Sequence, residues 1–200
     1  MTSKSNLVYW FLFTFYFSLT LNAVGQHRVI NQIQEGKLNK AETYINKRLR
    51  KGTLDLTDLY IHILLLNDKD CKIYNTKSAY TKVNQLNNQF RLSEEREVSR
   101  AIKDGLSLSS IYNLKMSICK NAKTDVLSNP EEALLNDFLK FYVDAPTSIR
   151  VEIENTRNEV AFQNAQSTNS IEAYQKFIDT YPRANQVFLA VELRNQLAFE

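Results

Sequence analysis

Two stretches toward the C-terminal side of this chain repeat the same pattern, and that self-similarity restricts the fold more than any other feature. Phe138-x-x-Phe141-Tyr142 leads into Pro146, and Tyr174-x-x-Phe177-Ile178 leads into Pro182, 36 residues further on. Behind each proline, Arg157-Asn158-Glu159-Val160-Ala161-Phe162 returns as Arg194-Asn195-Gln196-Leu197-Ala198-Phe199, offset by 37. On both sides of each proline the apolar residues recur every three or four positions, as on one face of a helix. The repeating unit is therefore a helical hairpin. A unit this short cannot enclose a core alone, so it buries its apolar face by stacking on its neighbours, as solenoids do.

The rest of the chain agrees with an all-α class. Only 4 glycines and 3 prolines interrupt 200 residues, and apolar/polar alternation nowhere persists long enough to specify a strand. Val29, Ile30 and Ile33 open the helical spacing, which continues through Leu38, Ala41, Ile45 and Leu49 to a stop at Lys51-Gly52. Thr53 is placed to cap a helix through Leu54, Leu59 and Ile63, and the next segment runs through Ala79, Tyr80, Val83 and Leu86 to Asn87-Asn88. Ser93 is a cap candidate for the helix after it, which Gly105 breaks. Lys120 to Asn129 is the least patterned stretch and reads as a connector, with Pro130 at the following helix start. Pro146 is expected to end one helix, with Thr147 or Ser148 capping the next, and Asn169 with Glu172 has the spacing of a capping box.

The pattern Ser170-Ile171-x-x-Tyr174-x-x-Phe177-Ile178-x-x-x-Pro182 resembles the second helix and closing proline of a tetratricopeptide repeat. The wording Phe177-Ile178-Asp179-Thr180-Tyr181-Pro182 is similar to degenerate repeats of exported bacterial envelope proteins, such as outer-membrane assembly lipoproteins and their periplasmic relatives. Two features of the family are missing: a small residue where Phe177 stands, and the Trp, Leu-Gly and Tyr signature of the first helix. The resemblance is clearest over residues 130–200 and implies a right-handed α-α superhelix over residues 26–200, with a concave groove for a protein or peptide partner.

Residues 1–25 have the three parts of a secretory signal peptide: a charge at Lys4, an apolar core from Leu7 to Leu21, and small residues at Ala23 and Gly25. Cleavage before Gln26 is the expectation, giving an exported, periplasmic or outer-surface protein with no integral membrane segment. The core is shorter than the roughly 20 apolar residues of a spanning helix. With 25 basic against 22 acidic side chains, the chain offers no electrostatic footprint for nucleic acid. The basic run Lys47-Arg48-Leu49-Arg50-Lys51 reads as the solvated last turn of a helix. Cys71 and Cys119 would meet an oxidising compartment, where both a bridge and two thiols are open readings.

Chemistry-bearing residues are few. His27 and His62 have no partner at metal-ligand spacing, and no phosphate-cradling glycine loop or nucleophile motif is present. The carboxylate pairs Glu94-Glu95, Glu131-Glu132 and Glu152 with Glu154 fall where helix starts favour acidic residues. The stripe Phe138, Phe141, Tyr142, Tyr174, Phe177 and Tyr181 is better explained as core between helices than as a stacking platform. The expectation is a non-catalytic interaction scaffold without cofactor or metal. Arg157, Asn158, Arg194 and Asn195 are its candidate partner-binding residues, although the same recurrence fits a hydrogen bond between helices. A recruiting region of a larger envelope protein and a helical hydrolase using His62 are the alternatives.

Overall fold

The computed structural model describes residues 26–52 and 54–199; the signal-peptide reading, the Thr53 cap and Glu200 lie outside them. Among the described residues there are helices, turns and loops and no strand. The helices are α1 (residues 26–34), α2 (Leu38–Arg50), α3 (Leu56–Leu66), α4 (Thr76–Leu92), α5 (Glu95–Lys103), α6 (Leu108–Ser128), α7 (Glu132–Phe141), α8 (Thr147–Thr168), α9 (Ile171–Thr180) and α10 (Val187–Ala198). They form two compact units that divide inside α6, the first ending at Ile118 and the second beginning at Cys119. None of the described helices is long and apolar enough to cross a membrane.

In the first unit α3 is the central element. Nine of its residues are buried, from Leu56 to Leu66, because it is apolar on nearly every side and packs against α2, α4 and α5. Its cap is Asp55, whose carboxylate accepts from the Asp58 N–H at 2.9 Å. Ile45 of α2 and Ile61 and Leu65 of α3 meet Val29 and Cys71 in one cluster. Gly36, Gly52 and Gly105 hold positive φ at the turns after α1, α2 and α5, the conformation that ends a helix cheaply only at glycine.

Several expected boundaries move. α4 continues past Asn87-Asn88 to Leu92, and Ser93 closes it without capping α5, whose N-cap is Glu94. Lys120 to Ser128 belongs to α6, so the expected connector is helical; its polar composition is that of a largely solvent-facing last stretch of helix. α6 itself starts on a reciprocal pair, Ser107 Oγ accepting from Ser110 N–H and Ser110 Oγ from Ser107 N–H.

The second unit is built on α8, 22 residues and thus about 33 Å long. α7 runs back along its N-terminal half: the Arg150 guanidinium donates to the Leu139 and Tyr142 carbonyls at 3.0 and 3.3 Å. α9 covers its C-terminal half, with the Phe162 and Phe177 rings 5.4 Å apart. α10 then folds onto α9, and Ala161, Phe162, Tyr174, Phe177, Ala184 and Ala190 form the core there.

The repeat is real, but its spatial register differs from the one the prolines set. α7 and α9 match at an offset of 39: Phe138 with Phe177, Tyr142 with Tyr181 as helix C-caps, and Ala145 with Ala184, each alanine N–H bonding its tyrosine carbonyl at 3.0 Å. Pro182 directly follows the Tyr181 cap and ends α9. Pro146 instead precedes α8 as its N-cap, five residues after α7 has ended at Phe141, so it starts a helix rather than terminating one and neither Thr147 nor Ser148 is the cap. The expected capping box shifts as well. Asn169 takes a left-handed φ of 47° as the C-cap of α8, and Ser170 caps α9, accepting from the Ala173 N–H at 3.2 Å.

Candidate functional site

Arg157 and Arg194 occupy the same place in the two hairpins and use it in the same way. Nε and Nη2 of Arg157 donate to Asn158 Oδ1 at 3.2 and 2.9 Å, and those of Arg194 donate to Asn195 Oδ1 at 3.2 and 2.8 Å. The remaining arm of each guanidinium reaches back to an amide oxygen on the preceding helix, Asn136 at 3.4 Å and Gln175. Asn136 and Gln175 are themselves 39 residues apart, so the bracket follows the spatial register. The structure thus brings the four candidate residues together as two helix-to-helix brackets. Arg157, Asn158 and Arg194 are half-buried, and Asn195 is exposed.

The first bracket extends into a groove. The Arg157 guanidinium sits 4.7 Å from the Tyr181 ring centroid, a cation–π distance, and Asn136 Nδ2 donates to the Tyr181 hydroxyl at 3.5 Å. That hydroxyl donates to the Glu132 carboxylate; burial, followed by this bond, raises the Tyr181 pKa. Asn158, Arg157, Asn136, Tyr181 and Glu132 form one polar chain across α8, α7 and the end of α9. Beside it lies a groove of about 400 Å³, floored by Ala161, Ala165, Ala173 and Phe177 and flanked by Glu132, Lys176 and Tyr181. Its depth comes from alanine at i and i+4 on α8, a spacing present in the sequence but silent there until α9 is laid across it. Of the aromatic stripe, Phe138, Tyr142, Tyr174 and Phe177 are buried core, whereas Phe141 and Tyr181 are half-buried and Tyr181 borders the groove.

In the first unit the polar residues gather around Asp58, which is fully buried. Its Oδ1 accepts from the Tyr44 hydroxyl at 2.7 Å and from Gln26 Nε2 at 3.1 Å, and its Oδ2 from Arg48 Nε at 2.6 Å. Gln26 Nε2 also meets both Asp55 oxygens at 2.8 Å. Burial, then the bond to Asp58, pushes the Tyr44 hydroxyl well above the usual phenol range. Three donor side chains and two carboxylates satisfy each other here, which ties α1, α2 and α3 together. Arg48 is therefore held by an ion pair, and of the basic run Lys47, Arg50 and Lys51 remain exposed.

His62 and the cysteines take no part in either arrangement. His62 is buried on α3, and among the described residues its Nδ1 has no hydrogen-bond partner. Burial, with Lys82 nearby, lowers its pKa to about 4. Because the folded value lies below the unfolded 6.5, the unfolded chain binds the extra proton, and stability falls as pH drops through that window. Acidification from pH 7 to pH 5 is expected to cost about 2 kcal/mol through this residue. Urea midpoints at both pH values, compared with His62→Leu, check it: the variant should lose most of that slope. Cys71 and Cys119 are buried as thiols, one in each unit, and burial raises the Cys71 pKa. No group of three or more His, Cys, Asp or Glu side chains placed to hold a metal ion occurs among the described residues. Comparison with protein-family models, curated proteins and solved structures finds no significant match.

Proposed function

We propose that this chain is a non-catalytic protein-interaction scaffold of the bacterial envelope. Its helical hairpins continue as a tetratricopeptide-like right-handed superhelix, and it is exported by cleavage of residues 1–25. The observation that carries the reading is the repeated bracket: two hairpins with the same Arg-Asn pair, the same backward bond to an amide, and a small-residue groove beside the first. A scaffold of this kind works by geometry. Rigid helices present an apolar floor with a few polar groups at its edge, and an extended or helical segment of a partner fills it. The Tyr181–Glu132 bond and the Arg157 bracket fix the edge before binding, so little order is lost when a partner arrives.

Ala173 is half-buried in the groove, and a larger side chain there fills the space without removing core atoms. Ala173→Trp is expected to reduce partner capture from envelope extracts at least about tenfold, the loss of roughly 1.4 kcal/mol or more in binding. The melting temperature should stay near that of the parent. Quantitative mass spectrometry of captured proteins provides the measurement; capture that is the same with the parent and the variant would count against the groove.

A further inference from the structure

Gln26 is the residue that cleavage after Gly25 would place first in the exported chain, and it is 2% exposed. Its amide nitrogen donates to both Asp55 oxygens at 2.8 Å and to Asp58 Oδ1 at 3.1 Å. Every one of these acceptors is a carboxylate oxygen, so chemistry places the NH2 end of the amide there, and not its oxygen. Asp58 is fully buried and Asp55 is fixed as the cap of α3, which leaves neither free to follow a moving side chain. An N-terminal glutamine can undergo a reaction closed to an internal one. Its free α-amine attacks its own side-chain carbonyl: the N–Cδ bond forms, the Cδ–Nε2 bond breaks, and Nε2 leaves as ammonia with the proton the amine gives up, closing a lactam ring. The nitrogen that has to depart is the one the two aspartates hold.

We propose that Gln26 is a modification site gated by folding: it cyclises to pyroglutamate while the chain is unfolded and is kept open once α1 docks on α3. The site exists only if residues 1–25 are removed as proposed above. Ring closure swings Cδ onto the residue's own nitrogen and pulls Nε2 away from the aspartates. In the folded chain those bonds must break first, whereas in the unfolded chain nothing opposes closure. The lactam lacks the NH2 group. A chain cyclised before folding therefore cannot rebuild the contact, and α1 is less firmly tied to Asp55 and Asp58.

Every described helix lies at or beyond Gln26, so the test uses residues 26–200, released from an N-terminal fusion by a protease that leaves Gln26 first. Loss of ammonia is followed by intact mass, in buffer and in guanidinium chloride at the same pH. The folded chain is expected to cyclise at least about tenfold more slowly than the unfolded one. Asp55→Ser still caps α3 but is too short to reach Gln26, so it should speed the folded reaction severalfold while leaving the helical circular dichroism signal unchanged. Chain cyclised in denaturant and then refolded should melt a few degrees below the open form. Equal rates in buffer and denaturant, or a folded rate indifferent to Asp55→Ser, would overturn the proposal. N-terminal sequencing of the exported full-length product separates the two ideas. A first residue other than Gln26 would overturn the cleavage and this site with it, whereas Gln26 first with equal rates would sink the gating alone.

Discussion

Asp58→Ala is expected to destabilise the first unit by about 3–5 kcal/mol, among the largest effects of any single substitution in the protein. The carboxylate receives the Tyr44 hydroxyl, the Gln26 amide and the Arg48 guanidinium; removing it takes away the acceptor of Tyr44 and of Arg48 Nε, while Gln26 keeps Asp55 and Arg48 keeps only a 3.7 Å approach to that residue. Most of the cost lies in the charge of Arg48, whose side chain is only 24% exposed and is left with the longer pair to Asp55 alone. Asp58→Asn keeps the shape and one acceptor but presents an N–H toward Arg48, so it should recover part of the loss and no more. The double variant Asp58→Ala with Arg48→Met removes both charges, and its cost should fall well below the sum of the two singles. Chemical denaturation of the four proteins measures this. Additive costs would mean that Asp58 and Arg48 act independently, contrary to the network.

The register of the repeat makes an equally large and more discriminating prediction. Phe138→Ala and Phe177→Ala should each cost about 3–5 kcal/mol, because both rings are 3% exposed and occupy matching positions in the two hairpins. Phe141→Ala should cost clearly less, since Phe141 is only partly buried at the end of α7. Aligning the prolines pairs Phe141 with Phe177, and Phe138 with the equally buried Tyr174, and predicts losses of similar size. Thermal and urea unfolding of the three variants decides between the registers; a Phe141→Ala loss equal to that of Phe177→Ala would refute the offset of 39. Here, unlike the polar cluster, the effect is volume removed from a close-packed interior.

Why the sequence showed the repeat yet misplaced its register is a matter of which residues carry strong local signals. Proline is conspicuous because it fixes φ and lacks a donor, but it serves equally at a helix start and just beyond a helix end. Pro146 uses the first role and Pro182 the second. The Tyr-x-x-Ala pair that marks equivalent turns, Tyr142 with Ala145 and Tyr181 with Ala184, consists of residues common in any helix boundary. Likewise, Lys120 to Ser128 lacks a clear apolar stripe and so reads as a connector, whereas its backbone continues α6 to Ser128.

The candidate residues divide along the same line. Recurrence singled out Arg157, Asn158, Arg194 and Asn195 from the one-dimensional pattern, and they do occupy equivalent positions. Their acceptors Asn136 and Gln175 could not be found that way, being 21 and 19 residues upstream on a different helix. The Asp58 cluster is still more remote from sequence reasoning. Gln26 and Asp58 lie 32 residues apart, and a lone aspartate inside an apolar run reads as a surface interruption until α1 and α2 close over it.

The sequence by itself determined the all-α class, the helical hairpin as the unit and the glycine stops at Gly52 and Gly105, because periodicity and left-handed turns are local properties of the chain. The tertiary structure alone decided the register of the repeat, the partners of each arginine and the burial of Asp58. Those depend on which faces of distant helices meet, and that is settled by packing among many residues at once rather than by any spacing along the chain.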